Sequence, residues 1–398
     1  MSASLFLRKM KRKLSWLVIP IFIAITFQFV QSSIKVLQFP ALDFGVLYQA
    51  GKLVSEGQNP YAKKLVSDFH SPPQSLLIFS FLPFLHILES QIVWFVISFS
   101  LFIIGSFFLF KTLTEFDKSN LFKTNNFFLW MAYLSAVMIY FPFRYNLGSG
   151  EVNNLLFFFL TISFYYLKRS DFIGVALPIA LGIVIKITPL FFIYVFLLQK
   201  QFKTILSITL CLSALSLITL LLFSHDLFKN YLLMSPRYFT LDVPVYYNQS
   251  LSAFLARIFE DRIIVRALNF LILTIAMIEF TILLWKKSLK RFMGQTIIWN
   301  ISILYILIFS PFAWQHHFTI AIFPLVTTSY LIIKEQLPKI YLALIFCSYL
   351  LMGFNIKDLS ILANLGLIKT VIISHVLIGS ILLLVLNYRL LIKVRAKG

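Results

Sequence analysis

The sequence predicts an all-α, polytopic integral membrane protein with ten to twelve transmembrane helices. Three observations carry that expectation. Of 398 residues, 60% are hydrophobic, 17% aromatic and only 13% charged, giving a mean hydropathy of +0.88; soluble globular chains are far more polar. The apolar residues fall in runs approaching 20, the length that crosses a bilayer as a helix. Backbone amides in hydrocarbon must pair within their own segment, and the short alternating strands of a barrel are absent from the sequence.

The element order follows from the runs. A first span is expected over about Leu14–Val30; it has the basic flank of a signal peptide without a small-x-small cleavage site, so it reads as uncleaved. A polar stretch, residues 35–71, is too long for a simple turn and reads as the first outer loop. Apolar segments follow at about Leu76–Leu88, Ile92–Phe110, Phe127–Phe143, Val152–Leu167, Ile173–Leu198 and Ile205–Phe223. A second long outer loop is expected over 224–262, then spans near Ile263–Trp285, Thr296–Phe309, Phe318–Ile333, Ile340–Gly353 and Leu367–Leu386. Two segments fit one crossing poorly: Pro72–Phe110 has the length of two helices, and Ile173–Leu198 is interrupted by Lys186 and Pro189, which points to a broken or re-entrant helix. With no repeat or soluble boundary, residues 1–398 read as a single membrane domain.

The net charge of +20 is not a nucleic-acid footprint, because the basic residues sit at the ends of apolar runs and not along one face. The clusters are Arg8, Lys9, Lys11, Arg12 and Lys13; Lys200 and Lys203; Lys286, Lys287, Lys290 and Arg291; and Arg389, Lys393, Arg395 and Lys397. Read as cytoplasmic anchors, they put both termini inside and gather loops 35–71 and 224–262 with the turns Arg144–Glu151 and Trp314–His317 on the non-cytoplasmic face. Cys211 and Cys347 lie in apolar runs, so neither a disulfide framework nor a thiolate metal site is expected.

The chemistry-bearing residues lie in those outer stretches. Asp43 sits between apolar neighbours at the start of a helix-like stretch that stops at Gly57 and Pro60, where partial desolvation would make its carboxylate a useful base; the alternative is a solvated helix-capping acid. Lys186, inside an apolar segment, reads as a phosphate contact or as a snorkelling lysine. Arg237 could grip a phosphate bidentately or serve as an ordinary interfacial arginine. His316 and His317 are adjacent, about 100° apart on an α-helix, hence a poor metal pair and better placed to bind a leaving phosphate or to belong to an aromatic belt. No cofactor is expected, and a divalent metal, though compatible with the residues, has no motif to support it. No phosphate-cradling glycine loop, zinc motif or nucleophile elbow is present, which excludes a soluble nucleotide-sugar donor.

These residues, in this order, resemble the motifs of glycosyltransferase family 87, polyprenyl-phosphate-sugar-dependent mannosyltransferases with the GT-C membrane fold. Asp43, Phe44, Tyr48, Ala50, Gly57, Pro60 and Tyr61 match the first motif, and Pro72 and Pro73 its paired prolines. Gly150, Glu151, Val152 and Asn153 match a Gly-Gln-Val-Asn motif with glutamate in place of glutamine. Lys186 with Pro189, Asn248–Gln249–Ser250, and Ser310, Pro311, Trp314, His316 and His317 complete the set. The resemblance implies transfer of a hexose, such as mannose, from a polyprenyl-phosphate carrier to a lipid or glycan acceptor, on the outer face of a bacterial cytoplasmic membrane. It implies Asp43 as general base, Lys186, Arg237, His316 and His317 at the donor phosphate, and Tyr48, Tyr61, Glu151, Asn153, Asn248 and Gln249 in the substrate pocket. The competing classes are a secondary transporter, which needs internal pseudo-symmetry not seen in the sequence, and a noncatalytic lipid-binding scaffold.

Overall fold

The computed structural model describes residues 3–62, 69–115, 127–239, 243–285, 292–356 and 366–396. They form an all-helical bundle, and among the described residues the only β-type pairing is an isolated bridge between Asn248 and Trp314. The first half contains α1 (Ala3–Val36), α2 (Leu42–Ser55), α3 (Leu76–Phe79), α4 (Ile87–Glu115), α5 (Phe127–Ile139), α6 (Phe141–Ser149), α7 (Asn153–Lys168), α8 (Phe172–Ile185) and α9 (Phe191–Leu198). The second half contains α10 (Phe202–Leu222), α11 (Asp226–Phe239), α12 (Leu251–Ile258), α13 (Arg262–Leu284), α14 (Phe292–Phe309), α15 (Ile322–Lys334), α16 (Lys339–Gly353), α17 (Gly366–Ile373) and α18 (His375–Ala396). A 3-10 turn over Gln315–Ala321 runs directly into α15.

Among the described residues six helical segments are long and apolar enough to cross a membrane, and a seventh arises if α5 and α6, bent by 67° at Tyr140, form one span. The bend sits where Pro142 follows, since proline removes a helical amide. Several other apolar helices, α8, α16 and Val18–Ile34 within α1 among them, are of 10–17 residues. Burial separates the spans. In the Gln315–Lys334 segment 83% of the apolar window is covered by other helices, against 11% in α10, so the first is a central element and the second a peripheral one facing lipid.

Both segments that resisted a one-crossing reading prove to be interrupted. Pro72–Phe110 resolves into short turns at Pro73–Ser75, α3 and Leu82–Phe84, followed by one 29-residue helix, α4. Ile173–Leu198 breaks at Lys186, whose backbone is extended (φ −149°, ψ 125°). Pro189 dictates the break, because its ring would clash with the carbonyl of Ile185 in a continuous helix. The stretch 224–262 is largely helical, holding α11 and α12. The cluster Lys286, Lys287, Lys290 and Arg291 lies outside the described residues, as does Lys397.

Within the first polar loop, Leu42–Ser55 is helical. Phe44, Leu47, Ala50 and Val54 recur at helical spacing and are all buried, forming with Phe79, Trp94 and Leu155 a core distinct from that of the main bundle. Burying Phe44 and Leu47 contributes roughly 1.5–3 kcal/mol each. Gly51 lets the helix ride on the backbone of α3: a Cβ there would lie 2.0 Å from the Phe79 carbonyl oxygen. Gln91 of α4 fixes the entry to α2, accepting from the Ala41 amide at 2.8 Å and donating to the Phe39 carbonyl at 3.1 Å.

Candidate active site

Asp43 is in the first turn of α2, next to the fully buried Phe44. Phe44 packs against Gly150, which ends α6 with φ +75°. That left-handed conformation favours glycine, and a Cβ at this position would meet the Phe44 Cβ at 2.5 Å. Trp94 closes the joint by donating from its ring nitrogen to the Gly150 carbonyl at 2.7 Å. Ser149 and the Lys186 ammonium favour the Asp43 carboxylate, and the Glu151 carboxylate opposes it. Desolvation, then the Glu151 carboxylate, push the Asp43 carboxyl up to about 7.

Glu151 stands in the turn between α6 and α7. Its Oε2 accepts from the Val152 amide at 2.9 Å and lies 3.9 Å from the Lys186 ammonium; its Oε1 lies 3.8 Å from His316 Nε2. Burial alone would raise this carboxyl, but Lys186, His316, the Val152 amide and His70 together hold it below the usual carboxylate range. Lys186 reaches the turn because the break in its helix turns its extended backbone toward α7, where it donates to Asn153 Oδ1 at 3.0 Å. Asn146 Oδ1 in turn accepts from both the amide and the side chain of Asn153, at 3.2 and 2.8 Å.

His316 and His317 arrive from the 3-10 turn before α15. Their ring centroids are 4.6 Å apart, and Tyr145 of α6 packs edge-on to His316 at 5.1 Å. His316 is only 4% exposed, and neither of its ring nitrogens has a hydrogen-bond partner. A cavity lined by Asn153, Lys186, Thr188, Ser310 and His317 adjoins the cluster.

Glu151, His316 and His317 each offer a donor atom within 4.8 Å of the others, a closer approach than the helical spacing of the histidine pair implies. Ligand atoms on a tetrahedral zinc with bonds near 2.0–2.1 Å sit about 3.4 Å apart, and the Glu151–His316 pair stands at 3.8 Å. The Lys186 ammonium beside the same carboxylate also opposes a second cation.

The other sequence candidates divide. Asn153 lies within the cluster. Asn248 and Gln249 are fully buried with their side-chain bonds on the backbone: Asn248 donates to the carbonyls of Val243 and Pro311, and Gln249 to those of Tyr246 and Ile373. They stitch the 243–250 segment to the Pro311–Gln315 turn behind the histidines, an attachment completed by the Gln249 amide donating to Ala313 and the Gln315 amide to Tyr247. Tyr61 is buried against Phe69 and Tyr231 and donates to the Ser71 carbonyl at 2.7 Å, while Tyr48 donates to the Leu85 carbonyl. Arg237 is on α11, and its side chain lies outside the described residues. Sequence reading missed Tyr145, Asn146 and Ser149. The signal available was the polar run YNLGSGEVNN between two apolar segments, whose Asn146 and Asn154 are fully buried.

A comparison with curated proteins finds no match. The family model of glycosyltransferase family 87 matches residues 69–311, more than half of the chain and the part that carries Glu151, Asn153, Lys186, Arg237, Asn248 and Gln249. Asp43 and the histidine pair lie outside the matched segment and join the cluster through the contacts described above. The chain thus belongs to glycosyltransferase family 87 and is a membrane glycosyltransferase.

Proposed function

We propose that the protein transfers a hexose, mannose being the expected one, from a polyprenyl-phosphate carrier to a hydroxyl of a lipid or glycan acceptor, with Asp43 as the general base. The observation that carries this reading is that Glu151 lies within 4 Å of both Lys186 and His316 while Asp43 feels the charges of Glu151 and Lys186, so that four separate stretches of chain converge. A carboxyl group that titrates near 7 is matched to taking a proton from an alcohol at physiological pH. The acceptor oxygen forms its bond to the anomeric carbon as the bond from that carbon to the carrier phosphate breaks. The hydroxyl proton goes to Asp43 and the electron pair to the phosphate, with inversion at the anomeric carbon.

A lipid phosphate is a good leaving group and needs no carboxylic acid to protonate it, unlike the alkoxide of a glycoside. It needs positive charge and hydrogen-bond donors in a poorly hydrated site, the role assigned to Lys186, His316 and His317, with Arg237 a further candidate. Asn153 holds the Lys186 ammonium toward the cavity. Asn248 and Gln249 tie down the segment behind the histidines, and Tyr48 and Tyr61 are assigned to the acceptor side on the family resemblance alone. An apolar cavity of about 110 Å³, lined by Phe22, Phe99, Phe102, Leu134 and Phe143, adjoins the bent α5–α6 pair and suits part of the isoprenoid chain. The active site would face the non-cytoplasmic side, as the distribution of basic residues implies.

The test is transfer by purified protein in lipid, using labelled polyprenyl-phosphate mannose and membrane lipid acceptors. Label should pass to a new product, and Asp43→Asn should cut the rate by roughly 10²–10⁴-fold, the usual worth of a general base. No product with any polyprenyl-phosphate hexose, or a fully active Asp43→Asn protein, would overturn the reading.

A further inference from the structure

Glu151 touches more of the candidate machinery than any proposed step uses. It follows a left-handed glycine, and its carboxylate is tied down by the Val152 amide at the start of the 16-residue α7. The two oxygens point at groups from two other elements, Lys186 from the break after α8 and His316 from the 3-10 turn, at 3.9 and 3.8 Å. Both separations exceed hydrogen-bond length, and Lys186 spends its hydrogen bond on Asn153 instead. Glu151 therefore holds the Lys186 ammonium by charge and faces the His316 ring without locking either, leaving room for a phosphate oxygen to take its place.

We propose that Glu151 is a positioning residue that parks Lys186 and His316 for the donor phosphate and supplies the negative charge beside Asp43. This rests on the reading of Asp43 as base. The groups facing Asp43 are Tyr145 and Ser149 of α6, Glu151 in the turn and Lys186 at the break; His70, His316 and His317 surround Glu151 and Lys186. Among these Glu151 is the one carboxylate, so it strengthens the base while repelling an anionic donor. The chain gives up donor affinity for basicity, an exchange that the two substrates feel in opposite directions.

Glu151→Gln keeps the shape and the acceptor for the Val152 amide while removing the charge. The rate profiles of wild type, Glu151→Gln and Asp43→Asn would be measured against pH and against labelled polyprenyl-phosphate mannose. In Glu151→Gln the acid limb should move to lower pH, the donor KM should fall roughly tenfold through loss of a nearby like charge, and kcat above pH 8 should drop. A tighter donor KM cannot come from a misfolded protein. An acid limb and donor KM identical to wild type, with the limb absent from Asp43→Asn, would overturn the role of Glu151 and leave the base intact. A wild-type profile without an acid limb, or an active Asp43→Asn, would remove the base and this proposal together.

Discussion

Two clusters of buried polar side chains occupy the same bundle, and their hydrogen bonding differs. In the first, α14, α15 and α18 meet through Asn300, Thr327, Thr328 and Asn387, all fully buried. Asn300 donates to Asn387 at 2.9 Å and to Thr328 at 3.2 Å; Asn387 donates to Thr328 at 3.0 Å and to the Leu383 carbonyl at 2.9 Å; Thr327 donates to Asn300 at 2.7 Å. This network closes on itself. In the second, Glu151 lies 3.9 Å from the Lys186 ammonium and 3.8 Å from the His316 ring, His316 has neither nitrogen bonded, and Asn146 Nδ2 is without a partner. An unpaired buried polar group costs about 1–3 kcal/mol, so the second cluster is maintained at a cost that the first avoids. The closed network fixes helix register. The open one has the form of a site whose partners come with the substrate.

Substitutions can break or sharpen that contrast. The largest effect on donor binding is expected at Lys186: Lys186→Ala should raise the donor KM roughly 100-fold, since it removes the cation opposite the phosphate, and it should also lower thermal stability, because Glu151 and Asn153 lose their partner. An unchanged donor KM would count against the phosphate role. Gly150→Ala comes next, because a side chain at φ +75° must displace Phe44 and with it Asp43; a loss of turnover on the order of tenfold is expected from a misplaced base. A crystal structure of this variant should show the start of α2 shifted.

His316→Ala should lower turnover only several-fold and leave unfolding nearly unaltered, as neither ring nitrogen makes a bond that the fold would lose. Asn387→Leu should do the reverse. It leaves Asn300 and Thr328 short of partners and should cost about 1–2 kcal/mol of stability, while kcat and KM of the folded fraction stay at wild-type values. If Asn387→Leu changed the donor KM, or His316→Ala destabilised the protein as much, the distinction between a closed and an open cluster would fail.

Much of this could be read from the residues. Composition and run length gave the helical class, Pro189 after Lys186 gave the broken helix, and Gly57 with Pro60 gave the end of a helix that stops at Ser55. Asp43 stood out because a carboxylate between Leu42 and Phe44 has few solvated neighbours. What the sequence withheld was association at long range. Nothing in the spacing of Glu151, Lys186 and His316 places them within 4 Å contacts, which depend on how α7, the α8 break and the 3-10 turn pack. The backbone partners of Asn248 and Gln249 were beyond reach for a similar reason: carbonyls of Pro311 and Ile373, far off in sequence, meet them only when the helices pack.

The most direct test of Asp43 as a base is the anomeric configuration of the transferred sugar, read by NMR of the product from a donor of known configuration. A single displacement with Asp43 taking the hydroxyl proton predicts inversion. Retention would mean that a side chain, Asp43 foremost, had attacked the sugar as a nucleophile, and would contradict the account.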